Sequence, residues 1–171
     1  MLRRRFILTI MTSAALASTA LLAQTKPAAP AQGKPAPAAK AAAGARTVDI
    51  VGTDDMKYSV TTITAKPGEQ LRVRLTSKGT MPKIAMAHNF VLLKLTASPV
   101  KFVQAGATAR ATDFIAPETK DQVLAATTLA GNGETVEVTF KVPAAVGSYP
   151  YLCTFPGHFQ AGMRGTLEVK K

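Results

Sequence analysis

The residue types that most often carry soft-metal and thiol chemistry are scarce: 171 residues hold one cysteine, Cys153, and two histidines, His88 and His158. A single cysteine excludes an intrachain disulfide, so stability has to come from packing. Acidic residues are missing from residues 1–45, where Arg3, Arg4, Arg5, Lys26, Lys34 and Lys40 stand unopposed. The formal charge of +11 is therefore not a property of the whole chain; from residue 46 onward 15 Lys and Arg meet 10 Asp and Glu, leaving +5. That mild excess suits an acidic partner or an anionic surface no better than an ordinary soluble basic domain. No basic run with interleaved aromatics occurs there, so the pattern of a nucleic-acid binder is lacking.

The one sustained apolar run lies at the start. Three arginines precede Phe6-Ile7-Leu8-Thr9-Ile10-Met11 and a weaker apolar tail to Ala23, the layout of a secretory signal. Residues 1–23 are thus expected to direct export to the periplasm, with cleavage after Ala20 or Ala23. Arg3-Arg4-Arg5-Phe6-Ile7 also loosely fits a twin-arginine signal without its usual flanks. A third reading keeps residues 6–23 as an uncleaved anchor, although Thr9, Thr12, Ser13, Ser18 and Thr19 make it a poor membrane helix. Residues 24–45 are nearly all Ala, Pro, Lys and Gly, with nothing large enough to build a core. They read as a polyproline-like spacer able to span roughly 70 Å. Behind a retained anchor this would tether the domain to the membrane; as a leader remnant it would have no role.

From Arg46 the texture changes to short β-type runs between turn residues, and residues 46–171 are expected to form one domain. Residues 47–51, 58–65, 70–75, 88–94, 123–129, 134–142, 149–153 and 163–170 read as strands. In 70–75 the alternation is strict, so Leu71, Val73 and Leu75 face a core and Arg72 and Arg74 face water. Val136, Val138, Phe140 and Val142 alternate in the same way. Gly131-Asn132-Gly133 predicts a hairpin between the runs on either side, because Asn-Gly tolerates the positive φ a tight turn requires. Pro99 near the start of residues 98–113, with Phe102, Val103 and Ala107 at helical spacing, predicts a short helix or flap. About eight short strands with little helix point to an all-β fold, an antiparallel two-sheet sandwich.

The chemistry collects in one stretch, Cys153-Thr154-Phe155-Pro156-Gly157-His158-Phe159-Gln160-Ala161-Gly162-Met163, with a thiol, an imidazole and a thioether at five-residue intervals. It joins the last two expected strands. His88, in Met86-Ala87-His88-Asn89-Phe90, begins an earlier strand that a sandwich can bring to the same pole. Singly, each residue has a plain reading: a lone Cys is usually a small buried hydrophobe, a lone His structural, and Met56, Met86 or Met163 core. Together they form the donor set of a blue-copper centre, with two neutral imidazoles and a thiolate in a plane and a thioether along the axis. Cys153, His88 and His158 would bind in the plane and Met163 axially, one copper per chain. His88 is expected inside, held by a second contact through its ring, and His158 at the surface, where it can pass electrons.

The stretch 153–167 together with Met86-Ala87-His88-Asn89-Phe90 closely resembles the azurin family of cupredoxins, and the similarity extends over residues 47–171. Asp54-Asp55-Met56-Lys57-Tyr58 and Gly131-Asn132-Gly133-Glu134 belong to it. The resemblance implies a Greek-key β-sandwich, a mononuclear type 1 copper and one-electron transfer by a monomer. It further implies that Asn89 bonds around the thiolate loop and that the Ala87 carbonyl approaches the metal opposite Met163. Met86, Pro156 and Phe159 would form an apolar docking collar around His158 for redox partners. Four residues separate His158 and Met163, one more than in azurins; that spacing is similar to auracyanin, the membrane-associated relative. Ala87 stands where azurins usually have Gly.

Two further readings use the same residues. A copper storage or delivery protein needs these ligands but an exchangeable ion. A Cys/His hydrolase would use Cys153 as nucleophile, which requires a base on the thiol and an oxyanion site. A purely structural sandwich leaves His88 and Met163 without a task.

Overall fold

A computed structural model describes residues 44–171 of the chain. The expected signal or anchor at 1–23, and the spacer at 24–45 except Gly44 and Ala45, lie outside the described residues. Among the described residues no helix is long and apolar enough to cross a membrane.

The strict alternation of β4 (Gln70–Lys78) sets the frame. Leu71, Val73 and Leu75 are fully buried on one face, while Arg74 reaches across the other to Asp49 on β1 (Arg46–Thr53) at 2.6 Å. β4 lies between β1 and β7 (Thr135–Lys141), and β2 (Lys57–Tyr58) closes the far side, giving a sheet of order β2-β1-β4-β7. A second sheet has the order β3-β9-β8-β5-β6, built from Thr62–Ala65, Arg164–Val169, Gly147–Leu152, Val91–Leu93 and Val123–Ala126. Ile50, Leu71, Leu75, Phe90, Tyr151 and Leu167 are among the side chains filling the space between the sheets. Nine strands among the described residues thus form the expected all-β sandwich.

Three expectations need correction. Residues 58–65 are not one strand: β2 pairs with β1, the chain crosses at Val60-Thr61, and β3 pairs with β9 in the opposite sheet. The crossing is held at both residues, since the Tyr151 hydroxyl donates to the Val60 carbonyl and the Thr166 amide to that of Thr61. Nor is the sandwich wholly antiparallel. After β3 the chain turns at Lys66–Glu69 and comes back beside β1 running the same way, so β1 with β4 and β3 with β9 are parallel. Finally, Gly131-Asn132-Gly133 does turn, with Gly133 at φ +77°, but β6 and β7 belong to different sheets. The turn is a crossover rather than a hairpin, docked on the end of β4 by Gly133 N to Ser77 O and Ser77 N to Glu134 O, both 2.9 Å.

The helix is α1 (Pro99–Gly106), followed by a 3-10 turn at Arg110–Thr112. Its buried face is Phe102, Val103 and Gly106, and Ala107 falls just past the end and is exposed. Gly106 is required there because a β-carbon would come within 2.0 Å of the Phe114 carbonyl oxygen. The helix covers the outer face of the second sheet, where Val91, Leu93 and Leu152 point away from the main core. Residues 91–93 are therefore apolar without alternation: both faces of β5 are buried.

Candidate metal centre

Of the expected strand at 88–94, the regular ladder takes only Val91–Leu93. His88 sits just before it in an isolated bridge to Ala130, with His88 N to Ala130 O at 2.9 Å and Ala130 N to His88 O at 2.7 Å. This fixes the backbone of His88 at one pole of the sandwich. From the neighbouring β8, Cys153 follows the last strand residue, and Met163 immediately precedes β9. Cys153 N to Met163 O at 3.1 Å closes the base of the loop. Inside it, His158 N bonds Phe155 O at 3.1 Å and Met163 N bonds His158 O at 2.9 Å. Gly157 at φ +86° and Gly162 at +100° supply the left-handed turns this folding needs.

The result is a buried cluster. One donor atom each from His88, Cys153 and His158 lie within 4.8 Å of one another. The two Nδ1 atoms are 3.2 Å apart, and the sulfur is 3.5 Å from His158 Nδ1. The Ala87 carbonyl oxygen is 3.9 Å from the sulfur. Met163 is fully buried and meets His88 over Gly52, where a β-carbon would lie 2.8 Å from Met163 Cε and 3.0 Å from His88 Cδ2. All four sequence-derived residues and the Ala87 carbonyl are therefore at one pole.

Asn89 ties the two halves together, as the family resemblance implied. Its Oδ1 accepts from Thr154 N at 2.9 Å and its Nδ2 donates to Thr154 Oγ1 at 2.7 Å. Thr154 Oγ1 in turn donates to the Asp113 carbonyl at 2.6 Å, and the Tyr58 hydroxyl donates to the Asn89 carbonyl. Asp113 and Phe114 both take positive φ, 54° and 60°, which turns that carbonyl toward the loop and sets Phe114 edge-on to Phe155 at 5.4 Å.

Burial governs the electrostatics. It pushes the Cys153 thiol up to about 12, although main-chain bonds from Asn89 and Phe155 pull the other way. It pushes His158 down to about 4, helped by His88, and lowers His88 against the pull of Asp54. Burial therefore favours the neutral thiol and the neutral imidazoles over their charged forms. Such a donor set suits a soft or borderline cation that displaces the thiol proton.

A family model described as copper-binding proteins of the plastocyanin/azurin family matches residues 45–170. This chain belongs to that family. It is 37% identical over 127 residues to azurin of Pseudomonas aeruginosa, covering 72% of this chain and 84% of that protein. Azurin-1 of Alcaligenes xylosoxydans is 39% identical over 126 residues, covering 72% and 96%. Among solved structures, azurin iso-2 of Methylomonas sp. strain J superposes with a TM-score of 0.64 at 36% identity, over 73% of this chain and 98% of that one. Auracyanin A, described as a "blue" copper protein of Chloroflexus aurantiacus, gives 0.65 at 30% identity, over 74% and 100%. The chain is an azurin/auracyanin-like cupredoxin, and its cofactor is copper.

In this cupredoxin some supporting details depart from expectation. His88 Nε2 is buried with no hydrogen-bond partner among the described residues, and the ring packs over Gly52. His158 is 2% exposed because Phe155 folds over it, ring centroids 4.7 Å apart. Phe159 is 7% exposed and packs in the helix-covered cluster with Phe102 and Leu152, so it offers little surface to the expected docking collar. Sequence reasoning missed Gly52, Asp113 and Tyr58. Asp113 carried a weak signal, since Asp tolerates the left-handed region; a lone Gly in a strand marks close approach without saying to what.

Proposed function

We propose that the chain is a one-electron carrier in which His88, Cys153, His158 and Met163 would hold a type 1 copper, with the Ala87 carbonyl beside them, 3.9 Å from the Cys153 sulfur. What supports this is the packing of three donor atoms within 4.8 Å on a frame that does not need to move. When bound, the copper supplies the Cu(I)/Cu(II) couple. The chain's own part is to keep the donors in one arrangement for both states: the Ala130 bridge fixes His88, the closed loop fixes Cys153 and His158, and Asn89 locks loop to strand. A donor cage that stays put keeps the cost of each transfer low.

Electrons would pass at the His158 end of the molecule. Pro156 and Gly157 are exposed beside it and Met86 is half-buried, and a redox partner would dock on these apolar residues. Export to the periplasm rests on the signal pattern of residues 1–23. Closure of the site favours a carrier over a storage or delivery protein, which must release its ion. Burial of the thiol in protonated form makes Cys153 a poor nucleophile, against a hydrolase.

The test is the visible and electron paramagnetic resonance spectrum of the protein loaded with Cu(II). An intense thiolate-to-copper band with narrow copper hyperfine splitting, and reversible one-electron reduction, is expected. A colourless protein that surrenders its copper to a mild chelator would overturn the carrier reading in favour of delivery.

A further inference from the structure

The loop from Cys153 to Met163 is closed by its own main-chain bonds, and among the described residues its outer limb, Gln160-Ala161-Gly162, takes one hydrogen bond from a distant part of the chain. Lys57, on β2, donates from Nζ to the Ala161 carbonyl, across 104 residues of sequence. The ammonium lies flat against the turn: a β-carbon on Gly162 would be 2.6 Å from Lys57 Nζ. No carboxylate pairs with Lys57 among the described residues, so its charge-assisted bond is made to the loop. Lys57 is one residue from Tyr58, whose hydroxyl holds the Asn89 carbonyl, and β2 pairs with the end of β1 that carries Gly52, the floor beneath Met163 and His88.

The β1–β2 hairpin therefore touches the site at three places: Gly52 below, Tyr58 at the strand of His88, and Lys57 at the limb leading into Met163. We propose that Lys57 is a positioning residue that clamps the Ala161-Gly162 turn and so fixes where the Met163 side chain stands relative to the three other donors. Within the four-residue limb between His158 and Met163, Ala161 N bonds Gly157 O and Gly162 N bonds Phe159 O, both at 3.0 Å; the Lys57 ammonium adds a charge-assisted bond from outside the loop to the Ala161 carbonyl. The proposal deepens the electron-carrier reading and rests on Met163 being the axial donor.

The experiment compares wild type with Lys57→Met and Lys57→Arg in two arms. In metal-free protein, amide hydrogen exchange at Gly162 and Met163 should be about tenfold faster in Lys57→Met, the effect of losing one charge-assisted bond, with exchange at Ala130 unchanged. In copper-loaded protein, Lys57→Met should change the ratio of the charge-transfer bands and the rhombicity of the paramagnetic resonance spectrum, because those report axial contact. Lys57→Arg should restore both. Wild-type exchange and spectra in Lys57→Met would overturn the clamp. So would a shifted reduction potential with an unaltered spectrum, which is the signature of charge alone, or an effect that Lys57→Arg leaves unrepaired. Absence of the blue band in wild type would instead sink the electron-carrier reading, and the exchange arm would still decide whether Lys57 holds the turn.

Discussion

The Nδ1 atoms of His88 and His158 face one another at 3.2 Å inside the sandwich, two rings from residues 70 apart in sequence. Burial keeps His158 neutral to about pH 4, against 6.5 for a free imidazole. An unfolded chain takes up that proton near 6.5, so unfolding the metal-free protein consumes a proton across the interval. Stability is complete above 6.5 and falls as pH drops toward 4, by on the order of 2–3 kcal/mol. Denaturant melts at pH 7 and pH 4.5 should show this loss in wild type and a smaller one in His158→Gln; identical pH dependence in the two would contradict it.

Cys153 is the one sulfur able to bind as thiolate. Cys153→Ser should abolish the blue absorption and weaken copper binding by orders of magnitude, since a hydroxyl does not ionise in a site that already disfavours charge. Thermal stability of the metal-free form should fall by no more than about 1–3 kcal/mol, the cost of burying a hydroxyl without a partner, so that the folded form persists and loss of the ligand is separable from loss of the fold. Titration with Cu(II) followed by absorbance reads the first effect and calorimetry the second.

Gly52 is the floor of the site. Gly52→Ala places a β-carbon 2.8 Å from Met163 Cε and 3.0 Å from the His88 ring, closer than packed atoms tolerate. We expect about 1–3 kcal/mol of destabilisation, together with a changed copper spectrum because both displaced side chains are donors. A variant with the wild-type melting midpoint and spectrum would show that the floor is softer than this geometry requires.

Asn89→Ala should be costlier than a cavity of its size. It strips partners from Thr154 N and Thr154 Oγ1, both in the buried network under the loop, and an orphaned buried group costs about 1–3 kcal/mol. The loop would then open more readily, so copper release to a chelator should speed up at least tenfold relative to wild type. Unchanged release would mean that Asn89 does not hold the loop.

The donors were legible because their residue types are rare here: one Cys and two His leave few combinations, and the loop lays Cys153, His158 and Met163 along one stretch. The core face of β4 was legible because its alternation is strict. What escaped is whatever depends on which sheet a segment joins. Residues 58–65 have uniform β character, so nothing marks the crossing at Val60-Thr61. Asn132-Gly133 specifies a turn, and the positive φ of Gly133 agrees, but a turn does not say whether the next strand pairs with the last. Phe159 reads as an exposed loop aromatic until α1 is seen to need a cover for Phe102. Gly52 and Tyr58 act only through contacts across the sandwich, which no local pattern records.

The lone thiol is also fully enclosed. A thiol reagent mixed with the metal-free protein can therefore react only when this pole of the molecule opens, and each chain reacts once. Its labelling rate is an internal clock for that opening, readable without adding a probe to the chain.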